Sequence, residues 1–406
     1  MGFFKMTIDD VPLDGQTVLL RADYNVPLTD DGKISDDLRI RASLPTIQAL
    51  LDRHATVVII SHLGRPEGRD EKLSLKVVAD RLSELLDKHV KFIDDCIGDK
   101  VWQETKRAAK NSVVVLENLR FYVGEENNDE AFAKKLAHDS SARYFVQDGF
   151  GVVHRAHAST DAITHFLPSV SGYLLEKEYT MISDAMNNPK RPFVAVVGGA
   201  KVADKIGVIK EFIKKSDQII IGGAMANTFL KYRGFNVGAS KVEDESEVLK
   251  GIYDAASDKV GERVDDLIQL PVDVAVAKEI SPRAVRRVVP VSDIAPDDIA
   301  LDIGDSTIDA IVDIVKGAGT VVWNGPLGMT ELPEFAHGSA RLALALASQP
   351  EITSIIGGGD TADFILKWDS KKGDSFSHVS TGGGASLDLM AGKKLPGVES
   401  LMDGKR

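Results

Sequence analysis

Short apolar runs alternate with longer mixed stretches along all 406 residues. In the first half, four runs combine β-branched or aromatic residues with a polar end. They are TVLLRADYNV (Thr17 to Val26), ATVVIISHLG (Ala55 to Gly64), SVVVLENLRF (Ser112 to Phe121) and RYFVQDGFG (Arg143 to Gly151). Runs of this composition predict strands. Between them lie helical patterns. In LSLKVVADRLSELLDKH, Leu75, Val78, Leu82 and Leu85 fall on one stripe. Strands alternating with helices predict a parallel sheet covered on both faces.

In the second half the apolar runs end in glycine. The set is VAVVGGAKVADK (Val194 to Lys205), IIIGGAMANTF (Ile219 to Phe229), VVWNGPLG (Val321 to Gly328), IIGGGDTAD (Ile355 to Asp363) and HVSTGGGASLD (His378 to Asp388). A strand feeding a glycine turn and then a helix leaves free N–H groups at the helix start, aimed at anions. Several such turns on one sheet edge predict a pocket for a phosphorylated ligand, a nucleotide above all. A further strand is expected near Val272 to Ala277. A helix from Val202 would bury Ile206, Ile209 and Ile213. The fold class is therefore α/β, with two doubly wound, Rossmann-like parallel sheets.

Between the halves, Leu175, Tyr179, Ile182 and Met186 fall at helix spacing, and Asn187, Asn188 and Pro189 end the helix. This segment is read as a connector over 171–189. It separates a first domain, 1–170, from a second, 190–392.

Length favours two domains, and 43% hydrophobic residues fit an ordinary α/β protein. No run approaches eighteen apolar residues, so no membrane span is expected. MGFFKMTIDDVP lacks a long apolar core, and no secretory signal is read there. The single cysteine, Cys96, excludes an internal disulfide and a cysteine-based metal cluster, which fits a cytoplasmic protein. A net charge of -12 disfavours a general nucleic-acid binder but allows a local basic pocket.

Candidate chemistry differs between the halves. Lys201 and Lys205 are four apart directly after Gly198 and Gly199. On a helix both would project from one side and meet the phosphates of a nucleotide; surface lysines share this spacing. Asp360, just beyond a strand, is a magnesium ligand or an N-cap for the next helix. Thr361 can donate its hydroxyl to a phosphate. TGGGASLD (Thr381 to Asp388) offers three glycines before a helix. No GxxxxGK[ST], no strand-to-helix GxGxxG and no protein-kinase signature is present. In the first half the strand ends carry Arg21, Asp23, Asn25, Arg39, His62, Arg65, Arg120 and Arg155, with His154 and His157 nearby. Arginine matches phosphate and carboxylate oxygens with a fixed fork of donors. On one sheet edge these residues would bind a small polyanion. No nucleophile elbow or zinc spacing is found, which fits direct transfer between two bound substrates.

RADYNVP, SHLGRP, LENLRF, QDGFGVVHRAHAST, GGAKVADKI, VVWNGPLG, IIGGGDTAD and SHVSTGGGASLDLMAGKKLPGV together closely resemble phosphoglycerate kinases, in the family's order and over nearly the full length. The resemblance implies two domains joined by a helix and hinge, with a C-terminal tail, 393–406, packed on the first domain. It implies reversible phosphoryl transfer from 1,3-bisphosphoglycerate to ADP, giving 3-phosphoglycerate and ATP, with Mg2+. Asp23, Asn25, Arg39, His62, Arg65, Arg120 and Arg155 would hold the phosphoglycerate. Lys201, Lys205, Gly223, Asn324, Pro326, Glu331, Gly359, Asp360 and Thr361 would hold the nucleotide, with Glu331 on the ribose and Asp360 on the metal. Arg39, Lys205, Gly383 and Gly384 would serve the transferring group. Lys278, Asp305, Asn227, Met329 and Thr330 depart from the family's common residues around the adenine and ribose pocket. The family is usually monomeric, and no nucleic-acid or membrane partner is expected. A dinucleotide-dependent oxidoreductase and a non-catalytic, nucleotide-regulated binding protein are the alternatives.

Overall fold

The computed structural model describes residues 3–404. The chain forms two compact units. One holds the residues up to Thr180 together with the chain from Lys394 onward, and the other runs from Met181 to Lys393. The helix Tyr173–Asn187 begins in the first and ends in the second. Lys405 and Arg406, the end of the expected tail, and Met1 and Gly2 lie outside the described residues.

The first unit is built on β1 (Thr17–Arg21), β2 (Thr56–Ile60), β3 (Val90–Ile93), β4 (Val113–Leu116), β5 (Tyr144–Gln147) and β6 (Ser169–Ser171). They form one parallel sheet in the order β3-β4-β2-β1-β5-β6. Side chains alternate between its faces. Val18, Leu20, Val57, Ile59, Val113 and Val115 enter one apolar cluster. Leu19, Val58, Ile60, Val114, Leu116 and Phe145 enter the other. Both faces are buried, which is why these strands read as continuous apolar runs. Each fully buried aliphatic side chain contributes about 1.5–3 kcal/mol of transfer free energy. From the helix patterned on Leu75, Val78 and Leu82, Lys76–Leu86 folds as helix and Leu75 stands at its N-cap.

The chain's last segment belongs to this unit. Lys5 Nζ donates to the carbonyls of Glu399 (2.7 Å) and Leu401 (2.9 Å) and to Asp403 (2.8 Å). Gly397 N–H donates to Val153 O at 2.9 Å.

The second unit holds β7 (Phe193–Val197), β8 (Gln218–Ile221), β9 (Ile268–Gln269), β10 (Asp273–Ala277), β11 (Arg287–Pro290), β12 (Ile299–Ile303), β13 (Thr320–Asn324), β14 (Thr353–Gly357) and β15 (His378–Val379). Six make a parallel sheet in the order β15-β14-β13-β7-β8-β9. The strand near Val272 does not extend that series. As β10 it pairs antiparallel with both β11 and β12 in a separate three-stranded sheet. Two of the unusual residues form ion pairs on and beside this sheet. Lys278 reaches Asp297 (2.5 Å) and Asp298 (2.9 Å), and Asp305 reaches Arg286 (2.7 Å). No helix among the described residues is long and apolar enough to cross a membrane.

Asp148, just after β5, is fully buried and accepts the Leu174 N–H at 2.9 Å in the first turn of the helix Tyr173–Asn187. Burial raises its pKa from 3.8 to about 7, against the hydrogen bonds from Thr46, Leu174 and Leu175. The folded state therefore holds a proton that the unfolded chain releases near pH 4. Stability from this group is full below that pH, declines as pH rises toward 7, and is flat above. A tenfold difference in proton affinity is worth about 1.4 kcal/mol, so the whole decline is on the order of 4 kcal/mol at most. Asp148→Asn keeps the acceptor for Leu174 and should remove that decline. Urea midpoints compared between about pH 5 and about pH 8 should differ less in the variant than in the parent chain; equal differences would refute the assignment.

Candidate active site

In each parallel sheet two neighbouring strands send their connections to opposite sides: β1 leads to β2 while β5 leads to β6, and β7 leads to β8 while β13 leads to β14. β1 has β2 on one side and β5 on the other; β7 has β13 and β8. The loops that leave such a pair diverge, and a crevice opens between the two carboxyl ends.

In the first unit that edge carries the basic residues. Asp23 and Asn25 follow β1, His62 and Arg65 follow β2, Arg120 follows β4, and Arg155 lies beyond β5. Arg39 comes from the first turn of the helix Leu38–Asp52. A hydrogen-bonded chain ties the loops together. Arg39 Nη1 donates to Asp23 Oδ2 (3.0 Å), and Asn25 N donates to Asp23 Oδ1 (3.2 Å). Gly64 N donates to Asn25 Oδ1 (2.8 Å), and Arg120 Nη1 donates to Gly64 O (2.7 Å). Arg65 and Arg155 lie close enough to act electrostatically on Arg120. Neither guanidinium has a hydrogen-bond or ion-pair partner among the described residues, so both are open to an incoming anion. All seven sequence-predicted residues of this half thus converge.

Two histidines here, His62 and His157, are held neutral. Burial, reinforced by Arg21, Arg120 and Arg39, holds His62 well below its ordinary pKa. Burial, with Arg21 and Arg120, lowers His157 to about 4.

Two residues support the crevice from beneath: Arg21, read from the sequence among the groups that would bind the anion but turned to protein partners instead, and Glu125, which was not singled out. Arg21, at the end of β1, is fully buried. Glu125 is fully buried in a short helix, Val123–Glu126, and lies 3.9 Å from Arg21 and 3.9 Å from His157. Burial raises its pKa, and Arg21 pulls it back down. In VGEENNDE nothing but the preceding apolar Val123 distinguishes Glu125 from its charged neighbours.

In the second unit a cavity of about 430 Å³ opens at the matching edge. Lys201, Lys205, Asn324, Pro326, Gly359, Asp360, Thr361, Gly383 and Gly384 line it, with Gly199, Ala200, Asp204, Gly325, Gly358 and Leu387. Its floor is a close meeting of backbones. Gly198 N–H donates to Asn324 O (2.9 Å), and Gly199 N–H to Pro326 O (2.8 Å). A Cβ on Gly198 would stand 2.1 Å from Pro326 O, and one on Gly325 would stand 2.2 Å from Gly198 O. Only glycine fits at either point. Trp323, fully buried, fixes the second turn by donating Nε1–H to Gly325 O at 2.7 Å.

Lys205 Nζ donates to Gly198 O (2.7 Å) and Asn324 O (2.9 Å), which leaves one of its three donors for a ligand. Burial lowers its pKa to about 8, with Asp360 and Asp204 opposing that shift. The two lysines do not sit four apart on one helix. Lys201 is in the loop, Ala203–Lys205 is a short 3₁₀ turn, and the α-helix starts at Ile206. Both still line the cavity.

Asp360 is not an N-cap. The helix Gly359–Trp368 is preceded by Gly358, no side chain caps it, and Asp360 lies within its first turn. Thr361 Oγ1 accepts from Gly325 N–H at 2.8 Å, so its own proton remains to donate. Asn324 Nδ2 is buried without a protein partner. Gly223 packs behind the floor, its N–H on Leu327 O (2.9 Å). Glu331 is exposed and lies outside this cavity. No cluster of three metal-ligating side chains occurs among the described residues.

A sequence model of the family "Phosphoglycerate kinase" matches residues 8–393. Curated phosphoglycerate kinases of Thermosipho africanus and Dictyoglomus turgidum are 46% and 45% identical to the chain, over 99% and 98% of both sequences. The solved phosphoglycerate kinase of Coxiella burnetii superposes with a TM-score of 0.85 at 36% identity, over 98% of each chain. That of Pyrococcus horikoshii gives 0.82 at 33%, again over 98% of each. With two doubly wound sheets, a guanidinium crevice in one unit and a glycine-turn cavity in the other, the chain belongs to the phosphoglycerate kinase family.

Proposed function

We propose that the two crevices divide the substrates of the family's reaction between them. The reaction is reversible phosphoryl transfer from 1,3-bisphosphoglycerate to ADP, yielding 3-phosphoglycerate and ATP. Family membership sets aside the oxidoreductase and the non-catalytic binding protein. The arginine crevice takes the phosphoglycerate, held by Asp23, Asn25, Arg39, His62, Arg65, Arg120 and Arg155. The glycine-turn cavity takes the nucleotide phosphates. The observation that carries this reading is the buried, unpartnered Nδ2 of Asn324 in a cavity that also presents Lys205, Thr361 and the start of the helix Gly359–Trp368. Donors held without acceptors are what an anion site requires.

One carboxylate, Asp360, fits a magnesium ion that takes its other ligands from phosphates and water, and no dedicated protein cage is needed. Such an ion neutralises phosphate charge. Glu331, exposed beyond the cavity, is assigned to the ribose. One chain carries both crevices, so the proposed reaction needs no partner subunit.

In the forward direction, an oxygen of the ADP β-phosphate attacks the C1 phosphorus of the acyl phosphate. The P–O bond to the acyl oxygen breaks, and 3-phosphoglycerate leaves as a carboxylate. Attacking and leaving groups are both ionised, so no general base is required. Charge on the three equatorial oxygens is the problem the protein must solve. Arg39 and the free N–H of Lys205 serve that charge, with the glycine turn at Gly383 and Gly384 beside it. Lys201 and the backbone at Gly359 and Pro326 hold the nucleotide.

ATP formation from 1,3-bisphosphoglycerate and ADP should appear with the purified chain and collapse when magnesium is chelated. Lys205→Ala should lower kcat by about 10²–10³-fold, the scale for one transition-state donor, with little change in nucleotide Kd. Equal losses in both would make the lysine a ground-state clamp.

A second expectation follows from its pKa of about 8. The ammonium is charged below that pH and neutral above it. kcat/KM for the nucleotide should therefore fall as pH rises through about 8, and Lys205→Arg should lose this limb. A limb that persists in Lys205→Arg belongs to another group.

A further inference from the structure

Arg21 sits beneath the substrate crevice, and its contacts point inward. Nε donates to Ser159 Oγ (2.8 Å), Nη1 to the carbonyl of Ala22, and Nη2 reaches His62 Nδ1 at 3.1 Å. Ser159 passes the interaction on. Its hydroxyl donates to Glu125 Oε1 at 2.6 Å, and its N–H donates to Glu125 Oε2 at 3.0 Å. The main chain repeats the link, with Ala158 N–H on Glu125 O at 2.9 Å. Glu125, Ser159 and Arg21 are all fully buried, and His62 nearly so.

The direction of each bond is fixed by chemistry. A guanidinium has donors and no acceptor, so His62 Nδ1 must present its lone pair to Arg21. A neutral ring then carries its proton on Nε2. That nitrogen makes no hydrogen bond within the described residues and is not among the sealed polar atoms. The charged groups facing the ring are Arg21, Arg39 and Arg120, with His157 also opposing a second proton. Removing the carboxylate of Glu125 would leave the Arg21 charge buried with little to offset it.

We propose that Glu125, Ser159 and Arg21 form a positioning chain that holds His62 as a neutral donor, with its Nε2–H presented to an oxygen of the phosphoglycerate. The ligand contact rests on the functional reading above; the positioning chain does not. A crevice with several fixed guanidiniums gains little from one more cation. It gains selectivity from a donor that binds an oxygen without adding charge. The chain also explains why a buried acid lies under a site for an anion. It balances Arg21, which touches His62 and not the ligand.

The test reads the ring directly. Two-bond ¹H–¹⁵N correlation spectra of the full chain should show His62 with an unprotonated Nδ1 and a protonated Nε2 at neutral pH and in mild acid. An imidazolium, or a proton on Nδ1, would overturn the proposal without any variant. Ser159→Ala should give a mixed tautomer signal. KM for 3-phosphoglycerate should rise by about threefold to tenfold, the scale of one misaligned hydrogen bond, with kcat changed much less. Ser159→Thr keeps the hydroxyl and should restore both. Wild-type values of tautomer and KM in Ser159→Ala would refute the chain. His62→Ala separates the two layers of argument. If the wild-type tautomer is as stated but His62→Ala leaves KM for 3-phosphoglycerate unchanged, the ring is positioned as proposed and its assignment to the substrate is wrong.

Discussion

Parallel pairing forces every strand of each six-stranded sheet to end at the same edge. The rest of the molecule follows from that constraint. Buried strands cannot carry charged groups in their middles, because both faces are covered by apolar clusters. Chemistry is confined to the loops that follow the strands. The opposite connections of β1 and β5, and of β7 and β13, then decide which loops diverge to leave room for a ligand. In the first sheet those loops present side chains; in the second they present backbone. The difference arises locally. β7 and β13 end in residues whose backbones touch, at Gly198 and Gly325, and no side chain fits between them. β1, β2, β4 and β5 end in longer polar loops that can carry guanidiniums.

Much of this was legible in the chain, and the exceptions have physical causes. Strands β1, β2, β4, β7, β8, β13 and β14 were read because burial on both faces demands unbroken apolar runs. β3 was passed over because Lys91 interrupts it at the sheet's edge, and β6 because Ser169–Ser171 is short and polar. The antiparallel sheet escaped notice because β10 looks like any other buried strand. Its partner β11 carries an exposed arginine and ends in proline, and pairing direction leaves no mark on a single strand. The lysine spacing misled for a related reason. Four residues apart implies one helix face only where a helix exists, and the 3₁₀ turn at Ala203–Lys205 replaces it.

The candidate site divides along the same line. Motif residues at strand ends could be listed from the sequence, although Arg21 at the end of β1 is listed with them and supports His62 instead. What holds them could not. Glu125 sits in an acidic stretch and is distinguished only by tertiary burial. The unpartnered amide of Asn324 is likewise a fact about its surroundings rather than its neighbours in the chain. Sequence pattern identifies groups that face a ligand. Groups that face those groups are visible only once the loops are packed.

The choice of cation in each crevice follows from what burial does to it. The protein as a whole is acidic, with a net charge of -12, so its attraction for a polyanion has to be local. An ammonium taken out of water loses its proton readily, as the pKa of about 8 for Lys205 illustrates. One such lysine can be kept charged by two carbonyls and nearby carboxylates. Four or five packed together would neutralise one another by mutual repulsion. Guanidiniums do not have that escape, because their proton affinity is too high. Arg21, Arg39, Arg65, Arg120 and Arg155 can therefore share one crevice and remain cationic, while His62 and His157 in the same field give up their charge. The titratable bases there become neutral donors, and the arginines alone hold the field that an incoming anion meets.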